Sequence, residues 1–161
     1  MSFRVGLGYD IHRLVEGRPL MLGGLHIPFA KGLLGHSDGD AVLHAVADAY
    51  LGAAGLPDIG ELFSDKDPAN KGADSRVLLR KVVEKVAAGG WTLENLDLNV
   101  IAEEPRMKPH KEALRQSIAG LLGVDPGRVN LKAKTREGLD AVGNREAIEV
   151  HCVVLLRSPE A

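Results

Sequence analysis

Asp10 and His12 lie two positions apart near the start of the chain, and a third polar residue, His44, interrupts an alanine-rich run further on. On an extended strand, residues i and i+2 project from the same face, so a carboxylate and an imidazole at these positions converge on one point. Two histidines and a carboxylate are the protein ligands of many catalytic zinc centres, which leave a fourth position for water or substrate. The spacing alone leaves a second reading open. Asp10 and His12 could be a hydrogen-bonded pair at a strand end, with His44 a satisfied structural histidine among Ala41, Val42, Leu43, Ala45, Val46 and Ala47. Asp40 and Asp48 lie one helical turn to either side of His44 and are expected to accept its second ring proton.

Other polar groups gather around these three in sequence. His36 and Ser37 stand just before the alanine-rich run, where the free N–H groups of a helix start favour a phosphate. In Ser37-Asp38-Gly39-Asp40 the serine is expected to cap that helix. Lys132-Ala-Lys134-Thr135-Arg136-Glu137 closes an alternating strand with three cations, a hydroxyl and a carboxylate, a mixture suited to a diphosphate with a second metal, or else an ordinary charged strand end. Gly6-x-Gly8 lacks the third glycine of a dinucleotide loop, because position 11 is Ile11.

The elements that must position these groups follow from patterning. Residues 4–12 read as a strand. Residues 19–28 read as a hairpin of two short strands, 20–22 and 25–27, joined at Gly23-Gly24. Residues 41–54 are a helix, and 57–72 are an aperiodic loop with two prolines and three aspartates, of the kind that is usually functional. A second helix starts at Asp74 or Ser75, carries Val77, Leu78, Val82, Val83 and Val86, and ends at Gly89-Gly90. Residues 96–102 alternate as a strand. Pro109 opens a third helix with Leu114, Ile118 and Leu121 that stops at Gly123, and strands follow at 129–135 and 148–156. Strands and helices mix without strict alternation, so residues 1–161 are read as a single α+β domain with helices layered on one face of a mixed sheet. Val153 and Leu155 give the other sheet face apolar character, which points to an oligomer.

The totals bound the function. A chain of 161 residues with 45% hydrophobic and 26% charged residues suits one globular domain. Twenty basic against twenty-two acidic residues, with 4% aromatics, argue against a nucleic-acid binder. Cys152 has no second cysteine to pair with and sits in an apolar run. Charge or glycine interrupts every apolar stretch short of the ~18 residues that span a bilayer, so a cytoplasmic protein without a membrane partner is expected.

Taken together and in order, Asp10-Ile-His12, His36-Ser-Asp-Gly-Asp-Ala-Val-Leu-His44, Asp58-Ile59-Gly60, Lys71-Gly-Ala-Asp-Ser75 and the 132–137 segment resemble the 2-C-methyl-D-erythritol 2,4-cyclodiphosphate synthase family of the non-mevalonate isoprenoid pathway. The resemblance runs from residue 4 to residue 156. It implies a homotrimer with active sites between subunits, and cyclisation of 4-diphosphocytidyl-2-C-methyl-D-erythritol 2-phosphate with release of CMP. By position it implies zinc on Asp10, His12 and His44, and transition-state roles for His36 and Thr135. Ser37 would help hold the substrate. Asp58, Ile59, Gly60 and the loop Phe63, Ser64, Asp65, Lys66 and Asp67 would meet the methylerythritol part. Ala102, Glu103, Glu104, Pro105, Arg106, Met107 and Lys108, together with Lys134, Thr135, Arg136 and Glu137, would form the cytidine and diphosphate pocket. Glu137 would hold magnesium or manganese.

The chain departs from the family at Lys134-Thr135-Arg136, where a threonine-rich stretch is common. It also departs at Ala141 and Asn144, where Phe and Arg line an axial cavity that takes an isoprenoid diphosphate in some members. Two rival readings share the residue pattern: a zinc phosphodiesterase that hydrolyses a nucleoside diphosphate ester, and a trimeric nucleotide-binding scaffold without turnover.

Overall fold

Strand β1 (Ser2–Glu16) decides the architecture, because two glycines on one face let a helix approach it closely. Its even positions Gly6 and Gly8 are buried, while its odd positions Phe3, Val5, Leu7, Tyr9 and Ile11 are exposed, Val5 and Leu7 at 68% and 67%. Helix α1 (Ala41–Ala54) lies directly on the glycine face. A Cβ on Gly6 would stand 1.9 Å from the carbonyl oxygen of Ala49, and one on Gly8 would stand 1.8 Å from that of Ala45. The pair Gly6-x-Gly8, uninformative as a nucleotide motif, is therefore a packing device. Glycine on the strand and alanine on the helix bring the two backbones into contact.

The computed structural model describes residues 1–159. After β1 come β2 (Leu20–Leu22), β3 (Leu25–Ile27), β4 (Lys31–Leu33), α1, α2 (Ile59–Leu62), α3 (Ser75–Ala88), β5 (Thr92–Ile101), α4 (Lys111–Leu122), β6 (Val129–Lys134), α5 (Asp140–Gly143) and β7 (Ala147–Ser158). The main sheet has the order β4-β1-β7-β5-β6, in which β5 and β6 run parallel and every other pair is antiparallel. The parallel pair is joined through α4, as a parallel connection requires. Helices α1 and α4 lie against the sheet, and α3 packs on both. This is the α+β arrangement expected from the sequence. Between the layers are Leu96, Leu98 and Val100 of β5 and Ile148, Val150, Cys152, Val154 and Leu156 of β7, all buried. Among the described residues no helix is long and apolar enough to cross a membrane.

Several expectations need correction. The first strand extends from Ser2 to Glu16, well past residues 4–12, because β7 pairs with it from Ser2 to Arg13 and β4 with Leu14 to Glu16. Ser37 does not cap α1: Asp40 does, its carboxylate accepting from Leu43 N–H at 3.0 Å. The 57–72 loop is not structureless. It holds α2 and a single 3-10 turn at Pro68–Asn70, capped by Asp58 and Asp67. The short elements β4 and α5 gave no periodic signal, being three and four residues long. The Gly23-Gly24 hairpin is as expected, both glycines having positive φ (59° and 79°).

Candidate active site

The contact between β1 and α1 sets the distance between the polar residues that follow the glycines. Asp10 and His12 continue the inward face of β1, and His44 leaves α1 one turn after its cap. Asp10 Oδ2 is 2.8 Å from His12 Nε2 and 3.0 Å from His44 Nδ1. Burial would raise the Asp10 carboxyl, but the bonds to the two histidines outweigh it and hold the group below its usual range. His12 moves the other way. Burial alone would lower its pKa, but Asp10 and the carbonyl of Leu34 raise it.

The remaining ring contacts define the tautomers. His12 Nδ1 lies 2.7 Å from the Leu34 carbonyl oxygen, which can only accept, so in the neutral ring Nδ1 carries the proton and Nε2 presents a lone pair. Ser75 Oγ donates to Asp38 Oδ1 at 2.5 Å, which leaves it to accept from His44 Nε2 at 2.9 Å. His44 Nδ1 then presents its lone pair to Asp10. With both rings neutral, three acceptor atoms, Asp10 Oδ2, His12 Nε2 and His44 Nδ1, therefore converge. His12 Nε2 is buried without a properly aligned hydrogen bond. Such a set is stable when a cation lies among the acceptors, and among the described residues these three form the one group that could hold a metal ion.

Neither Asp40 nor Asp48 reaches His44, contrary to expectation. Asp40 is fully buried and accepts from Gly23, Gly24 and Leu43 N–H, while Asp48 accepts from Ile59 N–H at 2.9 Å. Their side chains are consumed by backbone groups of neighbouring segments, and Ser75 takes the role assigned to them. Ser75 belongs to the Lys71–Ser75 motif, but nothing in sequence spacing showed that it meets His44.

A cavity of about 190 Å³ opens beside these three side chains, walled by His36, Ser37, Ile59, Gly60, Phe63 and Asp65 together with Asn70 and Leu78, which the sequence reading missed. His36 Nε2 is buried and has no hydrogen-bond partner among the described residues. Ser37 Oγ lies 3.2 Å from His44 Nε2. Asp58 and Asp67 turn their carboxylates to helix starts, and Ser64, Lys66 and Asp67 are outside this wall.

A second cavity, about 470 Å³, is separate. It is lined by Ala102, Glu103, Glu104, Arg106, Met107, Lys108, Lys134 and Thr135, by Ala133 inside the 132–137 segment, and by Arg145, which the sequence reading missed. Glu103 Oε1 accepts from the backbone N–H of Arg136 at 2.7 Å and of Gly138 at 3.4 Å, and so shapes the turn that carries Glu137 at φ 54°. Pro105, Arg136 and Glu137 are not among the lining residues. Arg136 instead reaches Glu149 with two bonds of 2.7 and 2.6 Å on the outer sheet face, where His151 also bonds Glu149 at 2.5 Å. Glu137 stands near Thr135 Oγ1 at 3.5 Å, with no second ligand cluster around it among the described residues.

Three side chains that could hold a metal ion open to a cavity on one side, and a cation-bearing pocket lies on the same chain, an arrangement that suits an enzyme acting on an anionic substrate. The chain belongs to the YgbB family, which matches residues 3–157. It is 56% identical over 156 residues to a 2-C-methyl-D-erythritol 2,4-cyclodiphosphate synthase of Burkholderia cenocepacia, covering 97% of each chain. Its fold matches a solved 2C-methyl-D-erythritol-2,4-cyclodiphosphate synthase in a CDP-bound form with a TM-score of 0.89 and 45% identity, over 96% of this chain and 100% of that one. A bifunctional IspDF from Campylobacter jejuni matches at a TM-score of 0.94 and 42% identity over 99% of this chain, which spans 43% of that longer protein.

Proposed function

We propose that the chain is a metal-dependent cyclase that converts 4-diphosphocytidyl-2-C-methyl-D-erythritol 2-phosphate to 2-C-methyl-D-erythritol 2,4-cyclodiphosphate and releases CMP. The observation that carries this reading is the convergence of three lone pairs from Asp10, His12 and His44 on the wall of a cavity that also holds the unpaired His36 Nε2. The relatives that share nearly the whole chain support the same reaction.

Zinc suits a carboxylate with two imidazoles, and when bound it supplies Lewis-acid polarisation of a phosphate oxygen. The nucleophile is the substrate's own 2-phosphate, already anionic at neutral pH, so no strong general base is needed. The chain's part is to orient and to exclude water. His36 Nε2 and Ser37 Oγ face the cavity as hydrogen-bonding groups, and Phe63 and Ile59 give it an apolar wall for the methylerythritol carbons. Holding two phosphates in line can remove several kcal/mol, on the order of 7, from the barrier. The second cavity is read as the cytidine and diphosphate end, with Lys134 and Thr135 beside the leaving group. Glu137 would hold a magnesium or manganese ion, which would supply charge neutralisation at the diphosphate.

We also infer a homotrimer. The exposed apolar face of Phe3, Val5, Leu7, Tyr9, Ile11 and Val153 is what a partner sheet would cover, and sites between subunits would join one chain's metal cavity to its neighbour's nucleotide pocket. A cytoplasmic location accompanies this reading.

Metal analysis of the purified protein combined with a CMP-release assay tests the proposal. Zinc near one per chain and a cyclic diphosphate by phosphorus NMR are expected. Linear monophosphates alone would replace the cyclase with a hydrolase, and a His44→Ala variant that still releases CMP would remove the metal from the reaction.

A further inference from the structure

Among the described residues, three that are not glycine have positive φ, and all lie between positions 137 and 145: Glu137 (54°), Asp140 (55°) and Arg145 (65°). Arg145 occupies a defined place. It follows α5, with its own N–H bonded to the Val142 carbonyl at 3.0 Å and the Glu146 N–H bonded to the Ala141 carbonyl at 2.9 Å. These two bonds form the turn that commonly ends a helix, and its left-handed residue is usually glycine because a Cβ there meets the backbone. An arginine at this point is harder to accommodate than glycine, and its packing does not compensate. Its side chain is 66% exposed and its ion pair with Glu104 is 3.6 Å long between open partners, a contact that contributes little to folding.

What the side chain does have is position. It lines the 470 Å³ cavity with Arg106, Lys108 and Lys134, and Glu104, the group that holds it, is on the same wall. We propose that Arg145 is a binding residue for the phosphate end of a nucleoside diphosphate in this cavity, leaving Glu104 for a phosphate oxygen when the ligand enters. A phosphate carries more charge than one carboxylate and fits the guanidinium fork, so the exchange runs toward the ligand. The inference rests on the reading of this cavity as the nucleotide end of the site.

The test compares wild type, Arg145→Gly and Arg145→Lys as full-length, metal-loaded protein, titrated calorimetrically with CDP and with cytidine, beside a thermal melt. Glycine relieves the left-handed turn, so Arg145→Gly melts about 2–4 °C higher. It binds CDP about five- to tenfold more weakly while cytidine affinity is unchanged, and Arg145→Lys recovers part of the loss. Stability and affinity thus move in opposite directions, which a merely structural arginine would not produce. Equal CDP affinity in Arg145→Gly and wild type overturns the inference, as does an equal loss for cytidine and CDP. A wild type that binds neither ligand overturns the reading of the cavity itself.

Discussion

Ser75 Oγ lies 2.9 Å from His44 Nε2 and 2.5 Å from Asp38 Oδ1, so one hydroxyl links the start of α3 to the loop before α1 and decides which nitrogen of His44 faces Asp10. Ser75→Ala removes the acceptor for Nε2–H and frees the ring to change tautomer. Outer-sphere partners of this kind are worth about 10–100-fold in metal affinity. Zinc affinity measured by competition with a chromophoric chelator is expected to fall within that range while the far-ultraviolet circular dichroism stays unchanged. An unaltered affinity would show that Ser37 Oγ, 3.2 Å from the same nitrogen, orients the ring alone.

The glycine face of β1 offers a sharper mechanical test. A Cβ at residue 8 would stand 1.8 Å from the Ala45 carbonyl oxygen and 2.7 Å from its carbon, both backbone atoms that yield only if α1 moves. Gly8→Ala is expected to destabilise the fold by about 3 kcal/mol, measured by urea unfolding, and to lower metal content because His44 moves with the helix. Gly17→Ala is a useful comparison, since a Cβ there meets nothing within 4 Å and only its positive φ is strained.

Asp40 is a fully buried carboxylate whose oxygens accept three backbone N–H groups, two from the β2–β3 hairpin and one from the first turn of α1. Asp40→Ala leaves all three without an acceptor, and a loss of about 3 kcal/mol is expected in the same unfolding measurement. Because the hairpin and α1 share this anchor, amide exchange at Gly23 and Gly24 should accelerate together with that at Leu43.

Glu149 gives the acid limb of stability. Burial would raise its carboxyl, yet the bonds from Arg136 and His151 outweigh burial and hold it below the ordinary value of 4.5. A group depressed in the folded state stabilises fully above its unfolded value. That stability is lost as pH falls from about 4.5 through the lower folded value. Glu149→Gln is expected to be about 1 kcal/mol less stable at neutral pH, a modest figure because Arg136 is partly open to water, and to lose less on acidification than wild type. Melting curves from pH 7 to pH 3 check this, and parallel curves for the two proteins would refute it.

The legible part of the site was local. The Asp-x-His spacing on a strand, the lone histidine in an alanine-rich helix and the Gly-Gly hairpin each express a short-range rule of backbone periodicity, and the structure holds them as read. Glu103 and Arg145 were not legible in the same way. The first is defined by N–H groups more than thirty positions away, and the second by a left-handed turn that no residue pattern at 140–146 announces.

The sequence by itself determined the helix from Ala41 to Ala54, the hairpin and the alternating strands, and it singled out the three side chains that could hold a metal ion, because propensity, pattern and residue chemistry act within a few positions. Only the tertiary structure decided which face of β1 is inside. Val5, Leu7 and Tyr9 look like core in isolation, yet glycine takes the inner face because α1 must come within backbone contact. That same contact decided the destination of His44, and Ser75, brought in by a different helix, decided its tautomer. Approach distances and hydrogen-bond partners between distant segments are properties of packing, and packing is where a pattern of ligand types becomes a centre with its lone pairs aimed at one point.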